Sequence, residues 1–168
     1  VSKSKAVLKM QDPNYVGLMM LECGDADGFI SGVNSPYKEV FEKAKEVVGL
    51  QPCCKYAAGM HIATTKRGTY FLADTTVNSH PSAETLEYVT VLTHDAVKRF
   101  DIDPVIALTS YSNFGEYRLG SPAQIQECIT QLHNKYPEIL VDGEMHASMA
   151  FDKELRQREY PFSILGDR

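Results

Sequence analysis

The chain has 168 residues, 43% hydrophobic and 23% charged, which is enough apolar material for one globular domain and excludes a disordered tract. Its net charge is −5, with acidic and basic residues interspersed. The basic stripe of a nucleic-acid binder is therefore missing, and no apolar run approaches the roughly 20 residues that a membrane span needs.

Four helix starts are written alike, as a residue followed by Pro and then an apolar stripe. Pro suits the first helical position, where its fixed φ is already helical and its missing N–H costs nothing. The first is Asp12-Pro13, with Val16, Met19, Met20 and Cys23 on one face and Gly24 as a stop. Met19 and Met20 are expected in the core. Phe29-Ile30-Ser31 reads as a short strand. The second helix start is Ser35-Pro36, followed by Val40, Phe41, Ala44, Val47 and Val48, with an alternation of Lys and Glu expected as a solvated face. Tyr56 to Thr64 and Thr69 to Ala73 flank Lys66-Arg67-Gly68 and predict a hairpin. The third start is His80-Pro81, with His80 expected at the cap and a stripe from Leu86 to Phe100. Val105 to Thr109 is the next strand. The fourth start is Ser121-Pro122, where Ser121 and Gln124 have capping-box spacing. Leu140-Val141 reads as a strand, and a last helix is expected from Ala147 to Arg158. Helices alternating with short apolar strands predict an α/β domain, layered α/β/α, with a mostly parallel, mixed sheet. No composition shift marks a linker, so residues 1–168 are expected to form one domain. Without an initiator Met, the chain reads as part of a longer protein.

Ligands of open α/β sheets collect where strand ends meet helix starts. Three segments fit that rule: Phe29 to Ser35, Ser110 to Gly115, and Asp142 to His146. Their small and polar residues, with free N–H groups at nearby helix starts, suit an anionic ligand. Several other motifs fail. Asp25-Ala26-Asp27-Gly28 opens like a calcium loop, but Pro36 stands where its closing Glu belongs. Gly115 to Gly120 has P-loop spacing with Ser121 in place of Lys, and no G-x-G-x-x-G exists for a nicotinamide cofactor. The five histidines have no metal-ligand spacing, although His146 lies beside a candidate segment. Cys23, Cys53, Cys54 and Cys128 contain no C-x-x-C pair and fit reduced thiols in a cytoplasmic protein. The adjacent Cys53-Cys54 is expected at a buried strand edge.

Taken in order, these segments resemble the phosphate acetyltransferase and butyryltransferase family. Gly24-Asp25-Ala26-Asp27-Gly28 with Ser31-Gly32 is similar to its "GDADG…(A/S)G" segment. Ala73-Asp74, Val77-Asn78 and Pro81 with Ala83-Glu84 and Leu86 are similar to its "AD…VN..P.AE.L" segment, and Asp142-Gly143-Glu144 to its "DGE" segment. Two details resemble a subfamily, the C-terminal domain of hybrid NADP-dependent malic enzymes. Asn113-Phe114-Gly115 stands where acetyltransferases tend to have Thr-Lys-Gly, and Met145-His146 follows the DGE. The acetyltransferases' essential Arg in the helix after GDADG aligns with Phe41, beside Glu39 and Val40.

The resemblance implies a regulatory domain that responds to acetyl-CoA or a related thioester. The implied ligand residues are Ser31, Gly32, Asn34, Ser110, Ser112, Asn113, Gly115, Asp142 and Glu144. No catalytic or metal-binding residue is implied here. NADP and a divalent metal would belong to the malic enzyme part of the same polypeptide, which oxidatively decarboxylates malate to pyruvate. A homo-oligomer is expected, with no nucleic acid or membrane partner. The alternatives are a working phosphate acetyltransferase and a ligand-free assembly domain.

Overall fold

A computed structural model describes residues 2–52 and 54–168, so Cys53, half of the adjacent thiol pair, lies outside the described residues. Its neighbour Cys54 is half-buried in an irregular segment. The chain divides into two compact units, residues 1–55 and 56–168.

The first unit is helical: α1 (Lys3–Lys9), α2 (Pro13–Glu22) and α3 (Tyr37–Val47). Sequence reasoning did not anticipate α1, which has no apolar stripe and begins at Ser2, whose hydroxyl accepts the Lys5 N–H. At the start of α2, Asp12 caps the Asn14 N–H and also takes the Lys43 ammonium. The Lys43 contact, followed by the Asn14 N–H, holds the Asp12 carboxyl below the usual carboxylate range. On α3, Glu46 accepts from Tyr15 and Lys9. The charged face expected to be simply solvated thus also ties α3 to α1 and α2.

Two expectations fail in this unit. The buried line of α2 runs through Asn14 and Leu18, while Met19 and Met20 are 36% and 45% exposed rather than core. Within the unit, α2 packs chiefly against α3, so a ten-residue helix buries only a narrow line. Phe29-Ile30-Ser31 forms no strand because it has no ladder partner to take its backbone groups. Instead the Phe29 ring lies over Gly17, where a Cβ would sit 2.2 Å from it.

The second unit carries the strands. A hairpin pairs β1 (Met60–Thr65) with β2 (Gly68–Ala73) antiparallel, from Met60 opposite Ala73 to Thr65 opposite Gly68. Lys66 and Arg67 form the expected turn, and Tyr56 to Gly59 stays irregular. Tyr70 packs its ring on Phe151 and Phe71 on Phe100, one neighbour for each hairpin face. Next come α4 (Ala83–Lys98), β3 (Ile106–Thr109), α5 (Ser121–Lys135), β4 (Val141–Met145), α6 (Ala147–Phe151) and α7 (Lys153–Glu159).

Strands β3 and β4 are parallel, joined through α5 in a β-α-β unit. Both pairings expected of a mixed α/β fold are therefore present, as two two-stranded sheets among the described residues. The core gathers Ala83 of α4, Cys128 and Leu132 of α5, and Ile139 and Val141 at β4, with Ile106 and Leu108 of β3 packed against them. No helix among the described residues is long and apolar enough to cross a membrane.

Three helix boundaries differ from expectation. Ser82, not His80, caps α4 by accepting the Thr85 N–H, so the helix begins two residues later than expected, at Ala83 rather than Pro81. The Ser121–Gln124 capping box does not form: Gly120 at φ 66° is the cap, so Ser121 is already inside α5. The helix expected from Ala147 to Arg158 breaks at Asp152, which leaves α6 in extended backbone and caps α7 through the Leu155 N–H.

Cys128 is fully buried, and loss of hydration pushes its thiol up to about 12. At pH 7 only about one molecule in 10⁵ would hold the reactive thiolate there. We expect a thiol reagent to label exposed Cys23 in the native chain and Cys128 only after unfolding. Peptide mass mapping of both states checks this; native labelling of Cys128 at the rate of Cys23 would contradict it.

Candidate ligand site

The parallel pair determines where the site residues go. Leu108 lies opposite Gly143, but Thr109 lies opposite Met145, so the register slips by one residue and Glu144 is the extra one. Such a bulge re-aims a side chain at a strand end. Glu144 is fully buried, and its Oε1 accepts the Ser112 hydroxyl at 3.0 Å and the Gly115 N–H at 2.9 Å. The Glu144 carbonyl takes the Phe114 N–H at 2.7 Å.

The loop after β3 is fastened from other directions as well. Ser110 donates its N–H to the Met145 carbonyl, Ser112 Oγ accepts the Tyr117 N–H, and Asn113 Oδ1 accepts the His146 N–H. Phe114 has a positive φ of 42°, which costs a non-glycine residue roughly 1–3 kcal/mol unless its surroundings impose it. Its ring packs against Tyr160 and Phe162, and Tyr160 donates its hydroxyl to Glu116. That acceptor, more than burial, raises the Tyr160 hydroxyl above its usual range.

Asp142 does different work. Its Oδ2 accepts the Ser163 hydroxyl at 2.7 Å and the Ile164 N–H at 2.9 Å, while Oδ1 accepts the Gly143 N–H. The expected strand Leu140-Val141 is displaced by one residue at its start and runs on to Met145. Asp142-Gly143-Glu144 is therefore strand rather than the loop beyond it. The Leu108 and Thr109 backbone continues pairing with it, which the short apolar run could not reveal.

The second unit thus brings together Ser110, Ser112, Asn113, Gly115, Asp142 and Glu144. Two buried atoms in this cluster, Ser110 Oγ and Glu144 Oε2, have no hydrogen-bond partner. Ser31, Gly32 and Asn34 belong to the first unit and are exposed, with Ser31 donating to Asn14 Oδ1, whose Nδ2 in turn reaches Ser35. Another matching segment forms a clasp of its own. Asp74 accepts the Val77 and Asn78 N–H groups, and the Asn78 amide bridges Asp74 to the Ala57 carbonyl. Sequence reasoning missed Arg156, Tyr160 and Ser163. Tyr160 and Ser163 reach the cluster from 44 and 21 residues away, and no local pattern announces that. Among the described residues, no group of three or more His, Cys, Asp or Glu side chains is placed to hold a metal ion.

Residues 1–168 match the family model described as phosphate acetyl/butaryl transferase. The chain belongs to this family. It is 34% identical to the NADP-dependent malic enzyme of Escherichia coli strain K12 over 156 residues, covering 93% of the chain and 21% of that protein. It is 27% identical to the phosphate acetyltransferase of Mycoplasma capricolum over 164 residues, covering 94% of the chain and 51% of that protein. A phosphotransacetylase structure from Streptococcus pyogenes superposes with a TM-score of 0.82 at 27% identity, over 96% of this chain and 50% of that one. The chain therefore spans about a fifth of the malic enzyme's length and half of the acetyltransferase's.

In this member of the family, Glu144 offers a direct test of the cluster. Replacing it with Ala removes an orphan oxygen but also strands the Ser112 hydroxyl and the Gly115 N–H. The second effect is larger because two donors lose their acceptor, and we expect a loss of about 1–3 kcal/mol. Glu144→Gln keeps an acceptor at Oε1 and should stay near the native value. Urea unfolding of both variants measures the difference; equal losses would contradict the assignment.

Proposed function

We propose that this chain is the acetyl-CoA-responsive, phosphate-acetyltransferase-like part of an NADP-dependent malic enzyme, regulatory rather than catalytic. The observation that carries this reading is what stands at the two positions where the acetyltransferases resembled have cations. Phe41, at the position aligned with their essential Arg, stacks on Tyr37 with ring centroids 5.9 Å apart. Phe114, at the position of their Lys, is held between Tyr160 and Phe162. An aromatic ring cannot supply the forked N–H donors or point charge that stabilise phosphate oxygens and developing carbonyl charge. The higher identity to a malic enzyme than to an acetyltransferase, 34% against 27%, supports the same parentage.

On this reading the thioester occupies the loop of Ser110 to Gly115, which Glu144 fixes, beside Asp142. NADP and a divalent metal serve the malic enzyme part of the same polypeptide. Acetyl-CoA acts by binding two states of a homo-oligomer unequally, since an effector shifts an equilibrium only by its differential affinity. The test is malate oxidation by the whole polypeptide, with and without acetyl-CoA, alongside calorimetric titration of acetyl-CoA. Saturable binding with a changed rate is expected. Absence of both would end the proposal, and acetyl-phosphate formation would replace it with a catalytic one.

A further inference from the structure

Residues 160–164 follow α7 and belong to no helix or strand, yet they grip the loop after β3 at two points. The Tyr160 hydroxyl donates to Glu116 at 2.8 Å. The Tyr160 and Phe162 rings lie 4.9 and 5.1 Å from the Phe114 ring and 5.9 Å from each other, a cluster of three aromatics with one member in the loop. A third point anchors the segment elsewhere. Ser163 Oγ and the Ile164 N–H both donate to Asp142 Oδ2, on β4 rather than on the loop. Phe162 keeps 66% of its surface in water, so its ring adds little to the core. What it does hold is Phe114.

Phe114 needs holding. Its φ of 42° lies in the left-handed region, which a bulky residue keeps only where its surroundings impose it. On one side those surroundings are the buried strand β4, through the Glu144 carbonyl on the Phe114 N–H. On the other side they are residues 160–164, which rest on a single carboxylate. Segments fastened so lightly open at a lower cost than the core does. We propose that residues 160–164 are a strap: docked on Asp142, they impose the loop conformation with Phe114 in the left-handed region, and when they lift the loop relaxes. Strap and loop are then one two-state element, and a ligand that selects the docked loop also holds the strap down. That last step rests on the thioester reading above, whereas the coupling of strap to loop does not.

Hydrogen exchange of the intact chain, resolved by peptide, tests this. Residues 112–117 and 160–164 should share one opening equilibrium, at least about tenfold more populated than that of α5 and β4. Phe162→Ala, at an exposed ring, should speed exchange of residues 112–117 about fivefold, the worth of one aromatic pair. Ser163→Ala is the sharper variant, because its hydroxyl bonds Asp142 and not the loop. It should speed the same loop by about the same factor, as for one lost hydrogen bond, while α5 keeps its native rate. The proposal is overturned if either variant leaves the loop unchanged. It is also overturned if α5 accelerates as much as the loop, which would make the segment an ordinary part of the core. Saturating acetyl-CoA should slow both segments. Slowing of the loop alone would end the coupling and leave the thioester reading intact. Slowing of neither would end that reading, and the two variants would still decide the strap.

Discussion

Gly143→Ala should cost this chain about 3 kcal/mol or more, a large share of an ordinary domain's stability. A Cβ at position 143 would stand 2.5 Å from the Leu108 carbonyl oxygen and 3.4 Å from the Leu108 N and C atoms. The obstacle is backbone, so no side chain can swing away. Leu108 cannot retreat either, because it is paired in β3 and packed on the core formed with α5. Gly143 also has φ +143°, a conformation that L-residues rarely adopt. Strained backbone and overpacking each contribute about 1–3 kcal/mol and act together here. Either the β3–β4 register breaks, releasing Glu144 and the loop it holds, or the unit unfolds. Chemical denaturation of the variant measures the loss, and a midpoint within error of the native chain would refute the account. Close strand approach thus explains a glycine at position 143 of this chain.

Arg156→Ala should be nearly as damaging, at about 3 kcal/mol. Two effects add. Four carbonyls lose a charged donor, and a fully buried side chain leaves a void. The carbonyls of Met149 and Ala150 come from α6, and those of Gly166 and Arg168 lie beyond α7, so one fork ties three segments together. Arg156→Met restores much of the volume without the donors and should recover part of the loss. Arg156→Lys keeps the charge but carries its three donors on a single nitrogen, which cannot span both pairs of carbonyls. Thermal unfolding of the three variants should give the order native, Met, then Ala, with Lys also below native. Hydrogen exchange of the backbone from Ser163 to Arg168 should accelerate in all three. Unchanged exchange there, with a native melting temperature for the Ala variant, would remove Arg156 from this role.

Helices were legible in the residues because their signals are local. Pro at a helix start and apolar spacing at three and four residues identified α2 to α5, and the turn chemistry of Lys66-Arg67-Gly68 marked the hairpin. Family membership was legible for a similar reason, since ordered short motifs survive when their surroundings diverge. What each motif residue does was a different matter. Asp142, Gly143 and Glu144 were read as a polar loop; they are a buried strand, with Asp142 turned to Ser163 and Ile164, Gly143 against Leu108, and Glu144 bulged toward Ser112 and Gly115.

Met19 and Met20 follow the same logic, since an apolar stripe does not say how many neighbours will come to cover it. Arg156 shows it most sharply. In Lys-Glu-Leu-Arg-Gln-Arg-Glu nothing separates Arg156 from Arg158, yet one is sealed among four carbonyls and the other is exposed. Backbone preference and amphipathic period act between residues a few positions apart, so they can be read from order along the chain. Burial, register and hydrogen-bond partners arise between segments tens of residues apart, and they exist only once those segments have packed.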